Sequence, residues 1–132
     1  MKLVIDASVI IAAILDEPER DWAIAATLGG EALAPRSLPF EIGNALTGLV
    51  KRKRLSADGM QKAWISAVEF QATLCEIDVG AALRLAGANG LYANDAYMLQ
   101  CAVERNATLV TLDRRMIAVG RTIGLDILEH PN

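Results

Sequence analysis

The feature that excludes most folds is an alternation of short β-like runs with helical patterns along the whole chain. The β-like runs lie at residues 2–5, 31–34, 74–77, 107–111 and 125–128. The first is almost wholly apolar, as expected of a strand covered on both faces. Between the runs the apolar spacing is helical. Residues 9–15 continue from Asp6, and Pro18 sits where a first helical turn tolerates proline, predicting a helix as far as Leu28 before Gly29 and Gly30. A longer helix is expected over 39–53, with Phe40, Leu46, Leu49, Val50 and Ile42 on its buried side. Ser56 caps the next, whose apolar stripe holds Met60, Ala63, Trp64, Ala67, Val68 and Phe70. Asp78 caps 79–88, and helices follow at 94–104 and at 113–119, the last ending at Gly120. Strands alternating with helices predict a parallel sheet with helices on both faces. At 132 residues the chain reads as one α/β domain over 1–132.

In such sheets, sites form beyond the carboxyl ends of the strands. Four acids fall at junctions of that kind. Asp6 and Asp113 end β-like runs, and Glu41 and Asp95 fall in the first turns of helical patterns. Each alone has a bland reading as a helix cap or a partner of the helix dipole. Their faces argue otherwise. Asp95 shares a helical face with Met98, Leu99 and Ala102, and Glu41 with Asn44, Ala45 and Gly48, so both are expected to project over the sheet edge. No Lys or Arg lies within three residues of Asp6 or Asp95. Carboxylates gathered without a basic partner raise one another's pKa or recruit a cation. An all-oxygen donor set favours Mg²⁺ or Mn²⁺.

Other chemistries lack their parts. The lone histidine, His130, lies in a Pro-containing tail and reads as surface, which leaves no zinc or Ser-His-Asp constellation. Gly29 and Gly30 match no phosphate-binding loop. Cys75 and Cys101 show no CxxC pattern and read as buried free thiols of a cytosolic protein. The longest apolar run, 9–15, is too short for a bilayer, and the start shows no signal-peptide pattern, so a cytoplasmic, membrane-free protein is expected. The net charge of −3 argues against bulk electrostatic grip on nucleic acid, though four of the acids belong to the proposed site itself.

The ordered set DAS (6–8), PFEIGNAL (39–46), NDAYMLQCA (94–102) and TLD (111–113) resembles the PIN domain, and within it the VapC-type toxins of bacterial toxin–antitoxin pairs. Each motif alone is weak; together, in this order, they cover essentially the whole chain. The resemblance implies a Rossmann-like α/β/α fold with sheet order 3-2-1-4-5. It implies an Mg²⁺- or Mn²⁺-dependent endoribonuclease, hydrolysing phosphodiester bonds with metal-activated water, and a neutralising VapB-type antitoxin and a homodimer. It makes Asp6, Glu41, Asp95 and Asp113 the catalytic and metal-site acids. It matches Ser8, Asn44 and Thr111 to polar positions that orient those acids or the metal's waters. Asn94 departs mildly from the pattern and is read as a helix cap.

Arg114 and Arg115, next to Asp113, and more weakly Arg36, are candidates for RNA phosphates. The basic run Lys51, Arg52, Lys53 and Arg54 is better explained as an answer to a helix dipole. Trp22 and Trp64 read as core or interface residues rather than base-stacking platforms. Competing expectations are a non-catalytic PIN-like RNA- or protein-binding domain and a metal-dependent nuclease acting on DNA. A receiver-type domain would want a Lys after one of the last two runs, and neither has one.

Overall fold

A computed structural model describes residues 1–131. Five strands, β1 (Lys2–Ile5), β2 (Glu31–Pro35), β3 (Thr73–Cys75), β4 (Thr108–Val110) and β5 (Ile127–Leu128), form one sheet of order β3-β2-β1-β4-β5. Every neighbouring pair is parallel, with Val4 opposite both Leu33 and Leu109. Val4, Ile5, Leu33, Leu109 and Val110 are buried, which is why these apolar runs form central strands.

The helices are α1 (Ala7–Ile14), α2 (Arg20–Thr27), α3 (Leu38–Lys51), α4 (Ala57–Glu69), α5 (Val79–Asn89), α6 (Ala93–Arg105) and α7 (Arg114–Thr122). From β1 the chain steps outward to β2 and β3, then crosses back over β1 to β4 and β5. Right-handed crossovers taken in opposite directions put α1–α4 on one face and α5–α7 on the other. The packing agrees: α1 meets α2, α3 and α4, while α6 lies on β1, β2 and β4 against α5. The direction reverses between β1 and β4, so a crevice opens there at the carboxyl edge. Among the described residues no helix is long and apolar enough to cross a membrane.

Several local expectations are corrected. Pro18 lies in a turn, and the helix begins only at Arg20, because Asp16 to Glu19 form the bend that turns α1 into α2. Phe40 is 77% exposed: the buried stripe of α3 is Leu38, Glu41, Ile42, Leu46 and Leu49, and Phe40 lies off it. Trp64 and Val68 are exposed, and α4 buries only Ala63 and Ala67 fully. The last helix runs through Gly120 to Thr122. A Cβ at Gly120 would stand 2.7 Å from Ile127 Cδ1, so this glycine serves helix–sheet approach and not termination. Asn94 is inside α6 and the cap position is Tyr92. Ser56 and Asp78 cap as expected, accepting from Gly59 and Ala81 backbone N–H groups. Both cysteines are buried and free.

Candidate active site

Asp6 is the residue at which β1 becomes α1. Its backbone N–H extends the ladder to Val110 O (3.0 Å), and its side chain makes no cap bond to α1. The carboxylate instead accepts at Oδ2 from Ser8 Oγ (2.6 Å) and Thr111 Oγ1 (2.9 Å), and the residue is only 7% exposed. Those two hydroxyls also tie β4's exit to β1's: Ser8 Oγ accepts from Leu112 N–H and Thr111 Oγ1 from Asp113 N–H. Asp113 caps α7 through Oδ1, which accepts from the N–H groups of Arg115 and Met116. Its capping role is therefore real, and it occupies one oxygen.

Glu41 is on the buried stripe of α3 and is 8% exposed. Ser37 Oγ donates to its Oε2. Sequence reasoning missed Ser37. The signal was a serine at a helix start with its acid four residues on, one beyond the usual capping-box spacing. Asp95, half-buried, comes from the first turn of α6. Asp113 Oδ2, Glu41 Oε1 and both oxygens of Asp95 accept no hydrogen bond among the described residues.

The four acids feel one another. Burial raises the Asp6 carboxyl above its ordinary range, with the Ser8 and Thr111 bonds opposing and the charge of Asp113 adding to the rise. Burial likewise pushes Glu41 up to about 7, opposed by Ser37 and reinforced by Asp6 and Asp95. Asp95 is raised by burial and by Asp113 and Asp6, with Arg115 opposing. None of the four forms an ion pair among the described residues. Buried carboxylates that repel without a cation are the electrostatic signature of a site for one.

The donor set is all oxygen, which suits Mg²⁺ or Mn²⁺. Among the described residues, however, no three His, Cys, Asp or Glu side chains form a ready-made metal cage. An Mg²⁺-like ion keeps several waters and needs only one or two carboxylates directly. Replacing Thr111 by valine keeps the volume of this fully buried side chain and removes the hydroxyl shared by Asp6 and Asp113 N–H. The expected result is a loss of about 1–3 kcal/mol in denaturant unfolding and Mn²⁺ affinity weaker by about tenfold or more by calorimetry. Unchanged Mn²⁺ affinity would show that Thr111 does not position the acids.

The remaining expected site residues are placed unevenly. Asn44 is exposed, and its side chain makes no hydrogen bond to any of the acids among the described residues. Arg114 is exposed and in no ion pair among the described residues, and it lines a cleft of about 650 Å³ on the α7 side. Arg115 donates to Gly90 O, tying α7 to the α5–α6 turn. Arg36 pairs with Glu76 at 3.6 Å, with both side chains largely exposed. The basic run at 51–54 falls at the far end of α3, roughly 15 Å along the axis from Glu41. His130, read as surface, is half-buried and meets the Trp22 ring edge-on, with centroids 5.5 Å apart.

Known folds are similar to this one across almost its full length. PAE2754 from Pyrobaculum aerophilum is 22% identical with a TM-score of 0.72, over 96% of this chain and 83% of that one. VapBC2 from Rickettsia felis, solved bound to a DNA fragment from its promoter, is 16% identical with a TM-score of 0.65, over 98% and 99%. FitAcB from Neisseria gonorrhoeae is 12% identical with a TM-score of 0.61, over 96% of each chain. At these identities the likeness shows the fold. Among curated proteins no sequence is significantly similar. The PIN domain family model matches residues 3–122, and with the sheet order 3-2-1-4-5 and acids gathered at its carboxyl edge, the chain belongs to the PIN domain family.

Proposed function

We propose that the protein is an Mg²⁺- or Mn²⁺-dependent endoribonuclease, the toxin of a VapBC-type pair held in check by a VapB-type antitoxin. The observation that carries the reading is the pair of buried carboxylates, Asp6 and Glu41, facing Asp95 and Asp113 with no ion-paired Lys or Arg among the described residues. Membership of the PIN family supports nuclease chemistry, and fold likeness to VapBC2 and FitAcB supports an antitoxin partner. A homodimer and a cytoplasmic setting belong to the same proposal.

Asp6, Asp95, Asp113 and Glu41 would hold the cation, directly or through its waters. When bound, the cation offsets the acids' repulsion, makes water a better nucleophile and stabilises charge on the phosphoryl group. Ser8 and Thr111 fix the direction of Asp6, and Ser37 that of Glu41. Glu41, whose Oε1 accepts no hydrogen bond among the described residues, takes the proton of the attacking water. Arg114 meets a phosphate beside the cut.

The test is cleavage of single-stranded RNA and DNA pools by purified protein with Mg²⁺, Mn²⁺ or EDTA, followed by mapping of the ends. The expected products are metal-dependent RNA fragments carrying a 5′-phosphate and a 3′-hydroxyl. Cyclic phosphates would refute water as nucleophile, and cutting confined to DNA would refute the ribonuclease reading.

A further inference from the structure

Beyond the acids, on the β2–β3 side of the same sheet edge, lies a second cleft of about 340 Å³. None of the four acids lines it. Its walls are apolar: Pro35 at the end of β2, Ile77 after β3, Val79 at the start of α5, and the ring of Tyr97 from α6. Tyr97 is half-buried and packs on the small core formed by Ala82, Ala86 and Ala96. Three alanines make a low surface that holds an aromatic ring while leaving the rest of it toward the cleft. The polar groups are few. Arg36 and Glu76 stand exposed, paired at 3.6 Å, and offer one donor and one acceptor group. Ser37 also lines this cleft, and it is the residue that donates to Glu41. The cleft therefore shares a wall with the catalytic acids.

We propose that this cleft takes one unstacked nucleobase of the RNA strand next to the scissile phosphate, its face against Tyr97 and its edge read by Arg36 and Glu76. The proposal rests on the ribonuclease reading above. Three observations choose a base over other occupants. The volume is at the small end of ligand pockets, roughly 300–1,000 Å³, room for one ring system. The lining is a rigid aromatic with a donor–acceptor pair, which is how unpaired bases are held by proteins. Ser37, part of the cleft's lining, also holds Glu41, so the cleft adjoins the acid cluster where a phosphate would be cut. The sequence-based reading of Arg36 as a phosphate contact is thereby sharpened. Its charge is already partly answered by Glu76, so it suits a base edge better than a phosphate.

The test uses a random-sequence single-stranded RNA pool with Mn²⁺ and four proteins: wild type, Tyr97→Leu, Tyr97→Phe and Glu76→Gln. Mapped ends give the base frequencies flanking each cut, and rates give KM and kcat. Wild type is expected to show a base preference at one position beside the cut. Tyr97→Leu should flatten it and raise KM about tenfold, the scale of one lost base–aromatic stack, with kcat much less affected. Tyr97→Phe should keep it, and Glu76→Gln should change which base is preferred. Calorimetric Mn²⁺ affinity should be equal in all four proteins, which separates this cleft from the metal site. Equal base profiles and KM in wild type and Tyr97→Leu would overturn the proposal and leave the cleft to a protein segment. If wild type cuts no RNA, the ribonuclease reading fails, and binding of the labelled pool decides the cleft separately. About tenfold weaker binding by Tyr97→Leu upholds a base site, and equal binding overturns it.

Discussion

Asp6→Asn is expected to reduce RNA cleavage by on the order of 10³-fold or more while the protein stays folded. The substitution is nearly isosteric. The asparagine oxygen can still accept from Ser8 and Thr111, so the link between the exits of β1 and β4 survives. What is lost is a negative charge at a position that is 7% exposed, surrounded by the fields of Asp113, Glu41 and Asp95. Burial and like charge both oppose that ionised carboxylate, so in EDTA the variant should unfold at a temperature equal to or above that of wild type. The two measurements must move apart: cleavage collapses, and metal-free stability holds or rises. Asp95→Asn should behave the same way, with a smaller stability gain because Asp95 is only half-buried. Cleavage within tenfold of wild type in either variant would end the assignment of these acids as the reaction centre. A variant that fails to fold would instead assign Asp6 a structural role in the β1–β4 junction.

The layout of the site was legible because it depends on periodicity and on element ends. Apolar runs followed by an acid mark strand exits, and an acid on the same helical face as Met98, Leu99 and Ala102 has to point where they point. The element order was legible for the same reason, whereas the sheet order came only with the family resemblance. What escaped depends on contacts that leave no periodic trace. Phe40 fits an apolar count but falls off the stripe that Leu38, Ile42 and Leu46 define. Gly120 looks like a helix stop until Ile127 is seen against it. Ser37 sits at a spacing that the capping rules do not flag, yet it holds Glu41. Arg115 reads as a phosphate contact beside Asp113, but the fold brings Gly90, 25 residues away in sequence, within its reach. Asn44 is the converse case: on the face of Glu41 by spacing, it ends exposed, with no bond to the acids among the described residues.

The metal-free protein should lose stability as pH rises, and a divalent cation should restore it. Glu41 contributes to this fall over a defined pH window. Its carboxyl titrates near 4.5 in an unfolded chain and at about 7 in the folded one. Between those values the folded state keeps a proton that the unfolded state has released. Stability therefore falls with rising pH across that window, by about 3 kcal/mol in total. For a domain of this size that is roughly 10 °C in unfolding temperature. Asp6 and Asp95, raised in the same direction by the same burial and repulsion, add to the fall. Glu41→Gln removes the titration and should flatten the EDTA curve between about pH 4.5 and 7 relative to wild type, leaving the variant the more stable protein at pH 8. On the proposed reading Mn²⁺ binds the ionised acids and not the unfolded chain, so it should raise the wild-type unfolding temperature most at high pH. In Glu41→Gln that increment should shrink together with RNA cleavage. The comparison with the variant isolates Glu41, together with its coupling to Asp6 and Asp95, from the other groups that titrate in the range. A wild-type EDTA curve that parallels the Glu41→Gln curve from pH 4.5 to 8 would mean that Glu41 is not held as an unneutralised buried acid. The electrostatic case for a cation at this sheet edge would then rest on Asp6 and Asp95 alone.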